Sequence, residues 1–248
     1  MSARFRTALF LGGAAGVAAL LLWSLAGLPD FGSYRGAYGH VLNHVAVKER
    51  RTTNVVTAVV FDYRGLDTMG EQFILFISVV GVALLLRETR GPKGDLPRRL
   101  DLQAGDAIRA VGLAAVALTL LTGLWVVAHG TITPGGGFQG GVVLASGLLL
   151  VYLGGDYAAL RRVAPIPFVD LGEGAGAGAY IVVGLVALLL GTPFLHNLLP
   201  LGKAGTLTSG GSIEMLNVAI GLEVAAALTL LFIEFLEELA AERPLRHR

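Results

Sequence analysis

Six runs of apolar residues, each bounded by polar segments, frame this 248-residue chain: Ala8–Leu28, Thr68–Leu86, Ile108–Ala128, Phe138–Leu153, Ala175–Leu190 and Ile213–Phe235. The hydrocarbon core of a bilayer takes about 20 helical residues, so each run predicts a transmembrane helix. The fourth and fifth are short and rich in glycine, which predicts little tilt or a place beside other helices. The first follows Met1-Ser2-Ala3-Arg4-Phe5-Arg6, in the manner of a signal peptide. Its apolar part is longer than a signal segment needs, so it is expected to stay as a helix.

The polar segments between these runs differ in kind. Residues 29–67 are too polar to span a bilayer and too long to be a turn. Within them, Thr52 to Phe61 contains an apolar stretch too short to cross, which predicts a short interfacial helix or a re-entrant piece feeding the second span. Residues 87–104 carry Arg87, Glu88, Arg90, Lys93, Asp95, Arg98 and Arg99 with Pro92 and Pro97. That linker predicts a two-span region over 1–90, a cytoplasmic connection over 91–104, and a four-span region over 105–248.

Composition agrees with the membrane reading. The chain is 54% hydrophobic and 15% charged, with a mean hydropathy of +0.69, whereas soluble domains carry about 25% charged residues. A net charge of +1 offers no basic face for nucleic acid. The absence of cysteine removes disulfides, thiolate metal sites and thiol catalysis, along with cysteine-held haem and iron–sulfur clusters. No cofactor is expected. The basic residues set an orientation. With the N-terminus in the cytoplasm, the inner segments hold Arg4, Arg6, Arg87, Arg90, Lys93, Arg98, Arg99, Arg109, Arg161, Arg162, Arg243, Arg246 and Arg248. The outer segments hold Arg35, Lys48, Arg50, Arg51, Arg64 and Lys203. The expected fold is therefore an all-α integral membrane protein of about six transmembrane helices. Both termini are cytoplasmic, with a glycine-rich outer hairpin and a short interfacial helix.

That hairpin is His129-Gly130-Thr131-Ile132-Thr133-Pro134-Gly135-Gly136-Gly137-Phe138-Gln139-Gly140-Gly141. Pro134 removes a backbone donor, and the glycines open dihedrals closed to other residues. A simple turn needs far less, so Pro134, Gly135, Gly136, Gly137, Phe138 and Gln139 predict a backbone packed against protein or water rather than lipid. A tight, well-packed turn is the plain reading, and His129 then serves as its hydrogen-bonding anchor. The alternative is proton exchange by His129 near physiological pH.

Charges inside the apolar runs are the other candidates. Glu223 sits near the middle of the last run, where a carboxylate must be protonated, paired or facing water. Asp67 and Glu71 are four residues apart and share one helix face at the start of the second run, with Arg64 close enough to neutralise one of them. They suit a water-lined path for cations or protons, or equally a helix start opposing the dipole. Capping suffices for Asp67 and for Glu214, while Glu71 lies a turn deeper. Glu234, Glu237 and Glu238 are expected to be solvated at the end of the last span. His40 and His44 have i,i+4 spacing but no acidic third ligand at a matching distance, so no metal site is predicted. Small residues at Gly112/Val116 and along Gly172–Ala179 predict close helix packing. Neither a phosphate-binding loop nor a nucleophile with its base is present.

The segment His129–Gly141, in its four-span setting, resembles the B-type (MnhB/MrpB) component of Mrp-type multisubunit cation/proton antiporters. The segment Asn54 to Glu71 is similar to the C-terminal end of the A-type component, and to a separate small subunit of membrane-bound hydrogenases. The resemblance covers nearly the whole chain and implies a fusion of an A-type tail with a B-type component. It also implies partners: other membrane subunits, including large antiporter-like ones that carry buried Lys–Glu pairs, with Na+ and H+ as the transported ions. The implied location is a bacterial or archaeal cytoplasmic membrane. None of the three lysines, Lys48, Lys93 and Lys203, lies inside a span here, so the expected role is a non-catalytic subunit needed for assembly, lining part of the ion path. Arg64, Asp67, Glu71, His129, Pro134 and Glu223 occupy the motif positions of interest. The alternative is a membrane-arm subunit of an ion-pumping redox complex of the hydrogenase type, or of an ion-gradient-driven carbon-uptake system. A self-sufficient transporter would require a strong internal repeat or discontinuous helices with cations in the core.

Overall fold

The computed structural model describes residues 3–28, 32, 36–89 and 105–242. The linker at 91–104 lies outside them, as do Arg35, Arg90, Lys93, Arg98, Arg99, Arg243, Arg246 and Arg248. Among the described residues the regular structure is helical, and six helices are long and apolar enough to cross a membrane. Residues 1–41 form one compact unit and residues 42–248 another. The first contains α1 (Ala3–Ala26), apolar on all sides beyond Arg4 and Arg6 and exposed over Arg4–Ala26, as a lipid-facing helix is.

The chain passes into the second unit within α2 (Ala37–Arg50), which buries Leu42 and Ala46. The short apolar segment forms α3 (Val55–Ala58), which Asn54 caps, and passes directly into a π-helical turn over Val59–Tyr63. That turn directs Phe61 into the core, and its Val60 carbonyl accepts a hydrogen bond from Thr68 Oγ1 at 2.6 Å. Then come α4 (Gly65–Thr89), α5 (Asp106–Ala128), α6 (Gly137–Gly154), α7 (Tyr157–Val163), α8 (Ile166–Leu189) and α9 (Ser212–Glu242).

Lipid supplies no hydrophobic force between helices, so they associate where backbones can approach closely. α6 presents Gly140, Gly147 and Gly154 at seven-residue intervals to α5, and a Cβ on any of them would come within 2.4–2.8 Å of α5 atoms. The Gly172–Ala179 run divides by face. Gly172 and Gly176 lie against α9, while Gly174 and Gly178 meet nothing. α9 is the central post, contacted by α4, α5, α6 and α8.

Two expectations about the spans are corrected. The fifth spanning helix, α8, begins at Ile166, nine residues before the expected Ala175, so Asp170 and Glu173 belong to it. Pro165 at its N-cap and Pro167 in its first turn suit a helix start. The last helix continues past Phe235 to Glu242. Glu234 and Glu237 are therefore buried, not solvated, because Arg87 of α4 and Tyr157 of α7 lie over that end of α9.

Candidate functional site

The hairpin is held from two sides by two asparagines. On the α9 side, the fully buried Asn217 donates from Nδ2 to the Val127 carbonyl at 2.7 Å and accepts the Gly137 N–H on Oδ1 at 2.5 Å. On the other side, Asn54 Nδ2 donates to the carbonyls of Gly130 and Thr133, both at 2.9 Å, while its Oδ1 accepts from Thr57 N–H. Both amide protons and the amide oxygen are thus used. Thr57 Oγ1 adds a bond to the Gly130 carbonyl at 2.7 Å, and Thr53 Oγ1 one to the Ile132 carbonyl at 2.6 Å. The two sequence segments singled out separately are therefore one structure. Each supplies the hydrogen bonds that the other lacks.

Glycine is required here for two distinct reasons. Gly136 has φ +144°, a backbone conformation that side chains disfavour. At Gly137 the reason is space, since a Cβ would sit 2.0 Å from the Asn217 carbonyl oxygen. His129 caps α5, with Nδ1 3.0 Å from the Trp125 carbonyl and its ring stacked on Trp125 at 4.5 Å between centroids. Both contacts are local to the turn. Pro134 is exposed.

A cavity of about 320 Å³ opens between the hairpin, the π turn, α4 and α9. Its polar wall consists of Thr57, Thr68, Glu71, Gln72 and Gln139, and the rest is glycine and apolar side chains, Phe138 among them. Glu71 and Gln139 are exposed at its edge. Asp67 does not join Glu71, although the two share a helix face. It lies in a second, charged cavity of about 720 Å³ with Arg50, Asp62, Tyr63, Arg64 and His196. There Arg64 Nε donates to Asp67 at 2.6 Å, and both side chains are more than half exposed, so the pair contributes at most about 1 kcal/mol. Asp62 is better held, between Arg50 at 2.6 Å and Asn197 at 3.1 Å. Burial, with the hydrogen bond to Glu49, pushes the Tyr63 hydroxyl up to about 12.

Deeper in the helices lies a row of buried ionisable groups. Glu223 is 0% exposed and accepts a hydrogen bond from Gln72 Nε2, and Gln72 also forms part of the cavity wall. Glu173 of α8 is 2% exposed. Towards the end of α4, Arg87 donates to the buried Glu234 at 2.7 Å and lies 3.7 Å from Asp170. Tyr157 donates to Glu237.

Sequence reasoning finds Glu223 but passes over Gln72, Glu173 and Asn217. For Glu173 the signal exists: an acidic residue between Gly172 and Gly174, adjoining an apolar run. Starting the fifth span at Ala175 places it outside the membrane. Gln72 and Asn217 carry no charge, and nothing in their sequence neighbours distinguishes them.

A family model described as a domain related to the MnhB subunit of Na+/H+ antiporter matches residues 107–230. An uncharacterized protein of Methanocaldococcus jannaschii is 30% identical over 215 residues, which cover 76% of this chain and 79% of that protein. The B-type component of the Na(+)/H(+) antiporter of Bacillus subtilis is 32% identical over 78 residues, 32% of this chain and 54% of that protein. Among solved structures, a chain of the membrane-bound sulfane sulfur reductase, an archaeal respiratory membrane complex, is similar with a TM-score of 0.72 and 30% identity, covering 94% of this chain and 98% of its own length. A chain of the Mrp complex from Dietzia sp. DQ12-45-1b shares the fold, with a TM-score of 0.66 and 24% identity over 94% of this chain and 26% of that one.

Proposed function

Because the chain belongs to the family of domains related to the MnhB subunit of Na+/H+ antiporters, we propose that it is a non-catalytic membrane subunit of a multisubunit cation/proton antiporter complex. It serves assembly and lines part of the ion path. One observation carries this reading: the two motifs close a single cavity whose edge holds Glu71 and Gln139, polar groups exposed beside Val56 and Phe138 on the flank of a membrane helix. A carboxylate facing lipid is costly, so that flank belongs against another subunit. Large antiporter-like partners supply the buried lysines that this chain lacks. Residues 1–90 correspond to the A-type tail, residues 105–248 to the B-type component, and both termini face the cytoplasm of a bacterial or archaeal cell.

A second reading has its own support. The respiratory complex's chain is matched over 98% of its length, whereas the Mrp chain is matched over 26%. That match gives the membrane arm of a redox-driven pump as the second reading. Purification of the tagged chain from native membranes tests both readings. Co-purifying antiporter-like subunits with sodium-dependent proton exchange support the antiporter, and co-purifying redox subunits support the pump. A stable monomer that transports ions alone in liposomes overturns both.

A further inference from the structure

Glu173 and Glu223 stand on two helices that touch. At Gly176 a Cβ would lie 2.7 Å from Glu223 Cβ, and Glu173 is one turn before Gly176 on the same face of α8. Glu173 Oε1 and Glu223 Oε1 are both buried without a hydrogen-bond partner. Gln72 is 5% exposed and gives its amide N–H to Glu223, yet its own Oε1 is also buried without a partner. Buried polar atoms in native proteins are nearly always satisfied, so three orphan oxygens at one level of a membrane bundle mark a place where something binds. Two carboxylates side by side in apolar surroundings repel strongly. One proton between them removes a charge and supplies an O–H donor to an orphan oxygen.

The groups around the pair define its access. α4 contributes Gln72, Glu71 and Arg87, and α8 contributes Asp170 and Tyr180, whose hydroxyl is held by the Gly65 carbonyl. α9 contributes Glu234, and α6 has no charged residue. Asp170 precedes Glu173 by one turn and, with Arg87, is more than 40% exposed. On the other side, Gln72 separates Glu223 from the cavity. The ligand is a proton rather than a sodium ion. Cation sites in membrane helices recruit carbonyls from unwound segments, but α4, α8 and α9 run unbroken past this cluster and keep their carbonyls in helix bonds.

We propose that Glu173 and Glu223 share one exchangeable proton, and that Glu173 passes it between Glu223 and the half-exposed Asp170, so that this chain's own helices form a proton route. This rests on the membrane-subunit reading above. In each transfer the O–H bond of one carboxyl breaks as one forms on the next, and the donor remains a carboxylate until it is refilled from the other side. Neither glutamate needs a new partner. Each alternates with its neighbour.

The test uses the complex containing this chain, in wild-type form and with Glu173→Gln, Glu173→Asp or Glu223→Gln. Infrared difference spectroscopy reads the C=O stretch of protonated carboxylic acids, and liposomes with an imposed pH gradient read proton flux. The wild type should show a protonated-acid band that shifts in deuterium oxide and is lost or displaced in Glu173→Gln and in Glu223→Gln. Glu173→Gln should lose proton flux with the composition of the complex unchanged, and Glu173→Asp should restore part of it with a displaced pH profile. Full flux in Glu173→Gln, or no such band in the wild type, overturns the proposal. Should Glu173→Gln prevent assembly, Glu173→Asp carries the test, and an undisplaced pH profile overturns it. A band lost in both variants of a complex that transports no cation would uphold the shared proton and defeat the antiporter reading.

Discussion

The hairpin and the carboxyl row both set buried polar groups against α9, yet their hydrogen-bonding groups are treated in opposite ways. In the hairpin, Asn54 and Asn217 hold the turn with neutral amides, and every side-chain donor and acceptor of Asn54 is used. In the row, Gln72, Glu173 and Glu223 each keep an oxygen without a partner. Saturated neutral groups rigidify a membrane protein and have nothing left to exchange. Unsaturated ionisable groups cost stability and persist where a ligand completes them. Polarity within the bilayer therefore has two uses here, a fastening and a site. Hydrogen-bond accounting separates the two asparagines from Gln72, Glu173 and Glu223 where burial does not.

The comparison breaks most readily at Gly137. Gly137→Val would drive a side chain into the Asn217 carbonyl, a backbone clash that no rotamer relieves. Overpacking costs about 1–3 kcal/mol, and more where backbone must move. The expected outcome is loss of the assembled complex on size-exclusion chromatography. Gly136→Val should act in the same direction through its positive φ. Normal assembly of both variants would show the segment to be a loose loop and remove the contrast.

Next in size is Asn217→Ala, which strands the Gly137 N–H and leaves the Val127 carbonyl only its backbone bond from Gly130 N–H. The orphaned donor costs about 1–3 kcal/mol. Thermal unfolding of the purified complex should move clearly downward, and an unmoved midpoint would mean that water reaches the hairpin.

Glu223→Gln should behave differently, because the amide keeps the shape of the carboxyl. Stability should stay within about 1 kcal/mol, as for other volume-conserving changes, while proton exchange in liposomes is lost. If Gln leaves transport intact and Glu223→Ala prevents assembly, Glu223 is a fastening like Asn217, and the two regions do not differ.

The smallest effect belongs to His129→Gln. Loss of the stack on Trp125 is worth about 0.5–1.5 kcal/mol, and glutamine retains a donor for the Trp125 carbonyl. Transport should fall only partly and by the same factor at every pH. A factor that changes with pH would make His129 a proton carrier and add the hairpin to the route.

Length of apolar run, glycine spacing and the two motifs were readable in the chain because they are local properties. They were enough to predict six membrane helices, a packed hairpin and the family likeness. Glu223 was also readable, as a charge amid alanines and leucines. Periodicity tells which residues share a helix face but not what that face meets, so the separation of Asp67 from Glu71 into different cavities could not be foreseen. The burial of Glu234 could not be foreseen either, since it depends on Arg87, 147 residues away in the chain. Gln72 and Glu223 are 151 positions apart. Their meeting exists only because α4 packs directly on α9, and Glu173 joins them because Gly172 and Gly176 let α8 close on the same helix.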